Sequence, residues 1–333
     1  MADKAHIETD KRIAEVEKEL SARYQKAEKA LYSSFSVFGK TIQDKAKRLL
    51  DAIYKAENDT GKRKAKAEYQ RFIKKDILGS KKFKKLATQM SLYLYDVNSN
   101  VAQFANAQMP SVYALNYNYI GKNLDKDTPD YTFKPITNKE AELYSGMVQY
   151  NVSKSKDVQW NEKNIKKAVV VGGLLALGVN EIFKRTSKSI ASKNYNSAVM
   201  NSSGQLSYAE NYARLDSMRR ASDEGFERKK VWVATLDNRT RHTHARLDGK
   251  EIALDEKFDN GLYEPRDPNG TPEEICNCRC TITYSVGQSK ATSRSAREGE
   301  VSGSYKKSSS FKGTQSVEVS NMTYGEWKKW RMK

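Results

Sequence analysis

Apolar residues recur three and four apart through most of the first half of this chain. Ile13, Val16, Leu20, Tyr24, Ala27 and Leu31 form one stripe with Glu, Lys and Arg between them, which predicts a helix with one buried and one solvated face. Leu49, Leu50, Ile53 and Tyr54 begin a second stripe after Gly39. Leu86, Met90, Leu94, Val97, Val101 and Phe104 make a third, which Pro110 is expected to end because proline lacks the helical N–H. Each stripe predicts packing into a core or against a partner helix. Between residues 121 and 137 the pattern lapses into a polar connector, and Thr137 with Glu140 three residues on predicts a capping box. Helix is expected again from about 161 to 190, with a break at the polar residues 201–204 and a continuation through 208–226.

The pattern changes at Lys230. Residues 231–236 alternate as a strand does, Asp248-Gly249 is a turn signal, 265–270 is a loop, and 275–282 alternate again towards Tyr284. The fold class is therefore mainly α: a long helical N-terminal region, a small α+β module with a candidate zinc clip, and a flexible tail. The expected segments are 1–122 helical, 123–137 connector, 138–225 helical, 226–286 the α+β module and 287–333 the tail.

Charge changes this picture. The 333 residues carry 59 Lys and Arg against 41 Asp and Glu, a net charge of +18, which makes a polyanion the expected neighbour. The excess is local. Lys62, Arg63, Lys64, Lys66, Lys74, Lys75, Lys81, Lys82, Lys84 and Lys85 form a dense basic stretch suited to non-specific contact with the phosphates of double-stranded DNA. Basic and acidic groups nearly balance in 226–286, so the module is a poor place for DNA to dock. The Ser-rich basic tail ends with Trp327 and Trp330 among cations, a patch able to dock on a partner or stack on bases. The most apolar run, 168–179, is well short of the roughly 20 residues a membrane helix needs, so a membrane is not an expected partner.

The candidate chemistry lies in the module. Read as a strand, 275–282 would point Cys276, Cys278 and Cys280 to one face, and His242 and His244 share the same i, i+2 relation. These are donors of the kind zinc takes in a tetrahedral structural site, and a small module would gain folding free energy from such a clip. A hydrolytic metal site would need a general base as well, for which Glu273, Glu274 or Asp237 are available. No motif places any of them, so no catalytic residue is expected.

Trp232-x-Ala-Thr-x-Asp237-x-Arg239-Thr-Arg241-x-x-His244-x-x-Leu247-Asp248-Gly249, followed by Phe258, Pro265 and Glu274-x-x-Asn277-Cys278-Arg279-Cys280-Thr281, resembles the phage Mu F-like head-morphogenesis family. These are minor head proteins of tailed phages and prophages. The resemblance implies a non-enzymatic assembly role in the virion, at the capsid interior or the portal vertex, after assembly in the bacterial host cytoplasm. It implies the portal protein as partner, with scaffolding or major capsid protein as further partners, and a part in head assembly, DNA packaging or DNA delivery. His244, Cys278 and Cys280 fall on motif positions, with Cys276 or His242 left as the fourth ligand of a structural zinc. Trp232, Asp237, Arg239, Arg241, Asp248 and Gly249 are expected to build the module, the two arginines pairing with acidic residues around Asp237 and Asp248. The competing expectations are a metal-dependent nuclease or hydrolase, or a membrane-active ejection protein delivered with the genome.

Overall fold

Among the described residues seven α-helices precede the first strand. They are α1 (Lys4–Lys40), α2 (Gln43–Lys55), α3 (Asp59–Phe72), α4 (Lys81–Asp127), α5 (Asn138–Leu143), α6 (Lys154–Leu174) and α7 (Val179–Asp223). A single π turn, Ile73–Ile77, follows α3, with the Leu78 amide donating to the Ile73 carbonyl at 3.0 Å. Then come β1 (Lys229–Val233), α8 (His242–Arg246), β2 (Glu251–Ala253), α9 (Pro272–Ile275), β3 (Thr281–Ser285), β4 (Ser293–Ala296) and β5 (Val317–Ser320). The computed structural model describes residues 3–143, 149–235, 239–285, 293–296 and 317–320. Asp237 and the tail's Trp327 and Trp330 lie outside them, and of the tail only β4 and β5 are described, as an antiparallel pair.

The chain divides into two compact units that do not follow its linear order. One gathers Met1–Glu17, Phe104–Tyr150 and Met200–Lys333; the other gathers Lys18–Gln103 and Asn151–Val199. The second unit is all helix. The first stripe reads out directly there: Leu20, Tyr24, Ala27 and Leu31 are buried, and they continue into Phe35 and Phe38. Phe35 stacks on Phe183 at 5.4 Å between centroids, and Phe38 meets Phe83 at 5.6 Å. The second stripe is only partly buried, with Ile53 inside and Tyr54 exposed. Much of each stripe is thus spent on this core. A polar ladder crosses the same unit: Tyr24 donates to Asn98 (2.5 Å), Asn98 to Asn194 (2.7 Å) and Asn194 to Asn161 (2.8 Å). Buried amides satisfied in series in this way fix one arrangement of the helices.

The apolar run 168–179 is not one helix. It is split by the turn between α6 and α7, where Ala176 takes φ +50°, and Gly172 and Gly173 in the last turn of α6 lie against Ile182 and Ile73, where a Cβ would come within 2.7 and 2.8 Å of side-chain carbon. Among the described residues no helix is long and apolar enough to cross a membrane.

In the first unit, tertiary packing overrides three local signals. Pro110 sits inside α4 and does not end it, since Met109, Val112 and Tyr113 around it are buried. A proline costs a helix interior about 3 kcal/mol, whereas each buried large side chain contributes about 1.5–3 kcal/mol. The expected break at 201–204 is also absent: α7 runs through it with Ser202, Leu206 and Ser207 buried. Gly121 does not open the connector either, as α4 continues to Asp127. Its missing side chain admits the Phe133 ring, 1.9 Å from where a Cβ would lie. The extended segment after α4 is pinned back on that helix. Asn118 donates to the Ile136 carbonyl and accepts from its amide, both at 2.8 Å, and Asp125 accepts from the Phe133 amide at 3.1 Å. The capping box forms at the start of α5, with the Thr137 amide donating to Glu140 (2.7 Å) and the Glu140 amide to Thr137 Oγ1 (3.2 Å).

The sheet has the antiparallel order β2-β1-β3, with Trp232 opposite Ile282. The free edge of β3 is covered by side chains of α7. Asn211 accepts from the Ile282 amide (3.0 Å), Arg214 donates to the Ile282 carbonyl (3.1 Å), and Thr281 donates to Glu210 (3.0 Å). An edge paired in this way is closed to further strands. Arg214 is fully buried and also holds Asp3 through two bonds of 2.6 and 2.9 Å, with Asn116 accepting from its Nε at 2.9 Å. His6 Nδ1 meets Glu210 in the same group.

Candidate metal centre

The chain that leaves β1 turns into α8, and this decides where the two histidines point. On a helix, residues two apart lie on different faces, so His244 is buried and His242 is exposed. The strand-like i, i+2 relation expected for this pair is therefore corrected. The same holds for the cysteines. Cys276 caps α9, Asn277 adopts a left-handed φ of +54°, and β3 begins only at Thr281, so the three thiols do not share a strand face. The kink nonetheless turns Cys278 and Cys280 inward together.

One donor atom from each of His244, Cys278 and Cys280 lies within 4.8 Å of the others, and all three residues are buried. His244 Nδ1 is 3.4 Å from Cys278 Sγ and 3.5 Å from Cys280 Sγ. Cys276, half-buried, and His242 stand outside this group. The other imidazole nitrogen, Nε2, is 2.8 Å from Glu274 Oε2. Thr243 donates to both oxygens of that carboxylate at 3.1 Å, and the Asn260 amide approaches it at 3.4 Å. Glu274, weighed from the sequence as a general base, is thus occupied in orienting the histidine. Glu273 is exposed on the same short helix. Burial pushes the Cys278 thiol up, but contacts from Cys280 and His244 and the nearby Arg266 charge outweigh it and hold the thiol well below its ordinary value.

The cysteine loop is fixed carbonyl by carbonyl. Arg241 donates to Cys276 O, Arg266 Nε to Cys278 O (2.8 Å), Thr235 to Arg279 O (2.9 Å) and Asn211 to Cys280 O (3.3 Å). Arg241 therefore serves the loop backbone, and Asp237, one of the acids expected to pair with it, lies outside the described residues. Asp248 accepts from the Ala234 amide at 2.8 Å, and Gly249, at φ +76°, donates to the Trp232 carbonyl at 2.8 Å, so this pair closes the turn beside β1. Trp232 is fully buried, edge-on to both His244 (5.1 Å) and Phe258 (5.0 Å). Nothing in the local sequence announces Arg266 or Asn211 as supports of the site, since they are remote from the cysteines in spacing or lie on a helix.

The basic stretch lies in the helical unit, on α3, the π turn and the start of α4. All ten cations expected to meet phosphate are exposed, and among the described residues none has a side-chain hydrogen bond or ion pair. Asp76, one of the two acids in the stretch, is engaged by Lys45. A shallow depression of about 670 Å³ opens among Ala67, Gln70, Arg71, Lys74, Lys75 and Gly79. Surfaces that track phosphates need unpaired cations of this kind.

Residues 162–283 match the family model described as Phage Mu protein F like protein. The chain is 28% identical over 145 residues to the minor head protein GP7 of Bacillus phage SPP1, covering 40% of this chain and 44% of that protein. It is 44% identical over 63 residues to the NAD(+)--arginine ADP-ribosyltransferase EFV of Enterococcus faecalis, covering 18% of this chain and 13% of that protein. The chain thus spans less than half the length of either curated relative. No solved structure matches it significantly.

Proposed function

We propose that this chain, whose residues 162–283 match the model of the phage Mu F-like family, is a non-enzymatic minor head protein that meets the portal inside the capsid and holds packaged DNA. The observations that carry the reading are the match of that segment to a family model and the 28% identity over 145 residues to a phage minor head protein. The placement of charge supports the DNA contact. The module is almost neutral, whereas the exposed cations of 62–85 lie in the other compact unit. Binding there is electrostatic and independent of sequence, because lysines on helix surfaces offer phosphate contacts and no base readout.

Two measurements test this. The protein should co-purify with portal rings of the same phage and not with capsid protein alone; absence from both assembled and precursor heads would refute the assembly role. Replacing Lys74, Lys75, Lys81 and Lys82 by Gln should flatten the salt dependence of duplex binding by about 0.9 in log–log slope for each phosphate that is no longer neutralised. An unchanged slope would remove this stretch as the DNA-binding surface. Plasmid cleavage in the presence of divalent metal, abolished in His242→Ala or His244→Ala, would overturn the non-enzymatic reading in favour of a nuclease.

A further inference from the structure

The grouping of His244, Cys278 and Cys280 belongs to the nearly neutral module and not to the basic stretch 62–85. We propose that His244 Nδ1 and the Sγ atoms of Cys278 and Cys280 bind one structural zinc ion that ties α8 to the loop entering β3. Zinc at its usual bond lengths to sulfur and to imidazole nitrogen puts two such ligands about 3.6 Å apart in a tetrahedral site. The two nitrogen–sulfur separations here are 3.4 and 3.5 Å. Two thiolates and an imidazole are donors that select zinc over the hard cations magnesium and calcium. The two thiolates also neutralise the dication, so the buried complex carries little net charge.

The surroundings are those of a prepared site. Glu274 Oε2 lies 2.8 Å from His244 Nε2, placed to accept the hydrogen bond of the Nε2–H tautomer, in which the Nδ1 lone pair faces the sulfurs. Carboxylates behind a ligating histidine fix its tautomer and raise its basicity. The four carbonyl contacts from Arg241, Arg266, Thr235 and Asn211 hold the loop that carries both sulfurs, so little ordering remains when the ion enters. Among the described residues no fourth His, Cys, Asp or Glu atom lies within the same radius, so the proposal is for these three protein ligands with a water molecule completing the tetrahedron.

The full chain, purified without chelator, is expected to contain one zinc per molecule by elemental analysis. Cobalt exchanged into it should show thiolate charge-transfer bands and the strong visible absorption of a tetrahedral ion. Cys278→Ser and Cys280→Ser should each lose the metal, whereas Cys276→Ser and His242→Ala should keep it. Since the serine variants could fail to fold, the unaltered protein provides the second test: a strong chelator should lower its melting temperature, and added zinc should restore it. Glu274→Ala should weaken zinc binding about 10- to 100-fold while keeping the cobalt spectrum, and Glu274→Gln, which retains an acceptor oxygen, should lose less. Absence of stoichiometric metal with melting indifferent to zinc and chelator would overturn the assignment. So would a Cys278–Cys280 disulfide in the native protein's mass spectrum. Neither outcome bears on the portal and DNA measurements, so the two readings fail separately.

Discussion

Replacing Asp3 by Asn tests whether the buried arginine of α7 depends on the first turn of the chain. Arg214 is fully enclosed and receives both oxygens of Asp3, at 2.6 and 2.9 Å, with Glu210 Oε1 at 3.3 Å. Burial pushes the Asp3 carboxyl up, but the Arg214 charge and hydrogen bonds, with smaller help from His6, bring it down from 3.8 to about 2. Between those values the unfolded chain binds the proton and the folded one does not. Stability on this account therefore rises with pH through that window, is complete above about pH 5, and is lost as pH falls through 2. A displacement of that size corresponds to about 2.5 kcal/mol, at roughly 1.4 kcal/mol for each pH unit. Asp3→Asn keeps one acceptor but removes the charge, so it should cost about 2–3 kcal/mol at pH 7. This is the lower end for breaking a buried pair by changing one partner, because Glu210 still faces the guanidinium. Hydrogen-exchange protection of the β1 and β3 amides reports this unit alone. The difference between the two proteins should be full at pH 6 and shrink towards zero near pH 2. A difference below about 0.5 kcal/mol, or one constant over that range, would refute the reasoning.

Gly121→Ala should destabilise the protein although alanine is the better helix former. The propensity gain is about 1 kcal/mol, but the new methyl would lie 1.9 Å from the Phe133 ring, and overpacking typically costs about 1–3 kcal/mol. Thermal melting should show a lowered midpoint that Phe133→Leu in the same chain partly restores; an unchanged or raised midpoint would count against the close approach. Lys230 is buried beneath the Phe258 and Tyr263 rings and donates to the Leu254 and Glu256 carbonyls at 2.8 and 2.6 Å. Burial lowers it to about 8 from 10.5, so from pH 8 to 10.5 the unfolded chain holds the extra proton and stability on its account rises with pH. Urea midpoints across that window should climb relative to those of Lys230→Met, and parallel curves would remove the buried lysine as the cause. Burial and the neighbouring Asp267 raise Glu264 to about 7, so its own titration falls below this window.

What the sequence disclosed followed from how local each cause was. The stripe from Val16 to Leu31 and the Thr137–Glu140 box depend on residues three or four apart, and both read out as expected. The fold class followed from the same periodicity and from the change to alternation at Lys230. Pro110, Gly121 and the 201–204 segment misled because each signal is worth only about 1–3 kcal/mol, and burial on both sides exceeded it. The cysteines and His244 were drawn together on the premise of two strands; the structure brings three of the five donors together through a helix and a left-handed Asn277. Arg214 with Asp3 had no local signal at all, as 211 positions separate them and the N-terminus reads as an ordinary charged helix start.

The threading of the chain through its two units bears on how it is made. The helical unit owns nothing beyond residue 199, so every part of it is translated before β1, β2 and β3 are. The other unit needs the first seventeen residues and β3, near the far end, at the same time. During synthesis its opening turn must wait, with Asp3 and His6 uncommitted, until α7 and β3 arrive to receive them. A fragment cut at residue 200 would carry Arg214 and the cysteine loop but would lack Asp3 and Asn116. Such an excised module would begin life with a sequestered guanidinium missing two of its partners, so studies of it in isolation should supply those segments in trans.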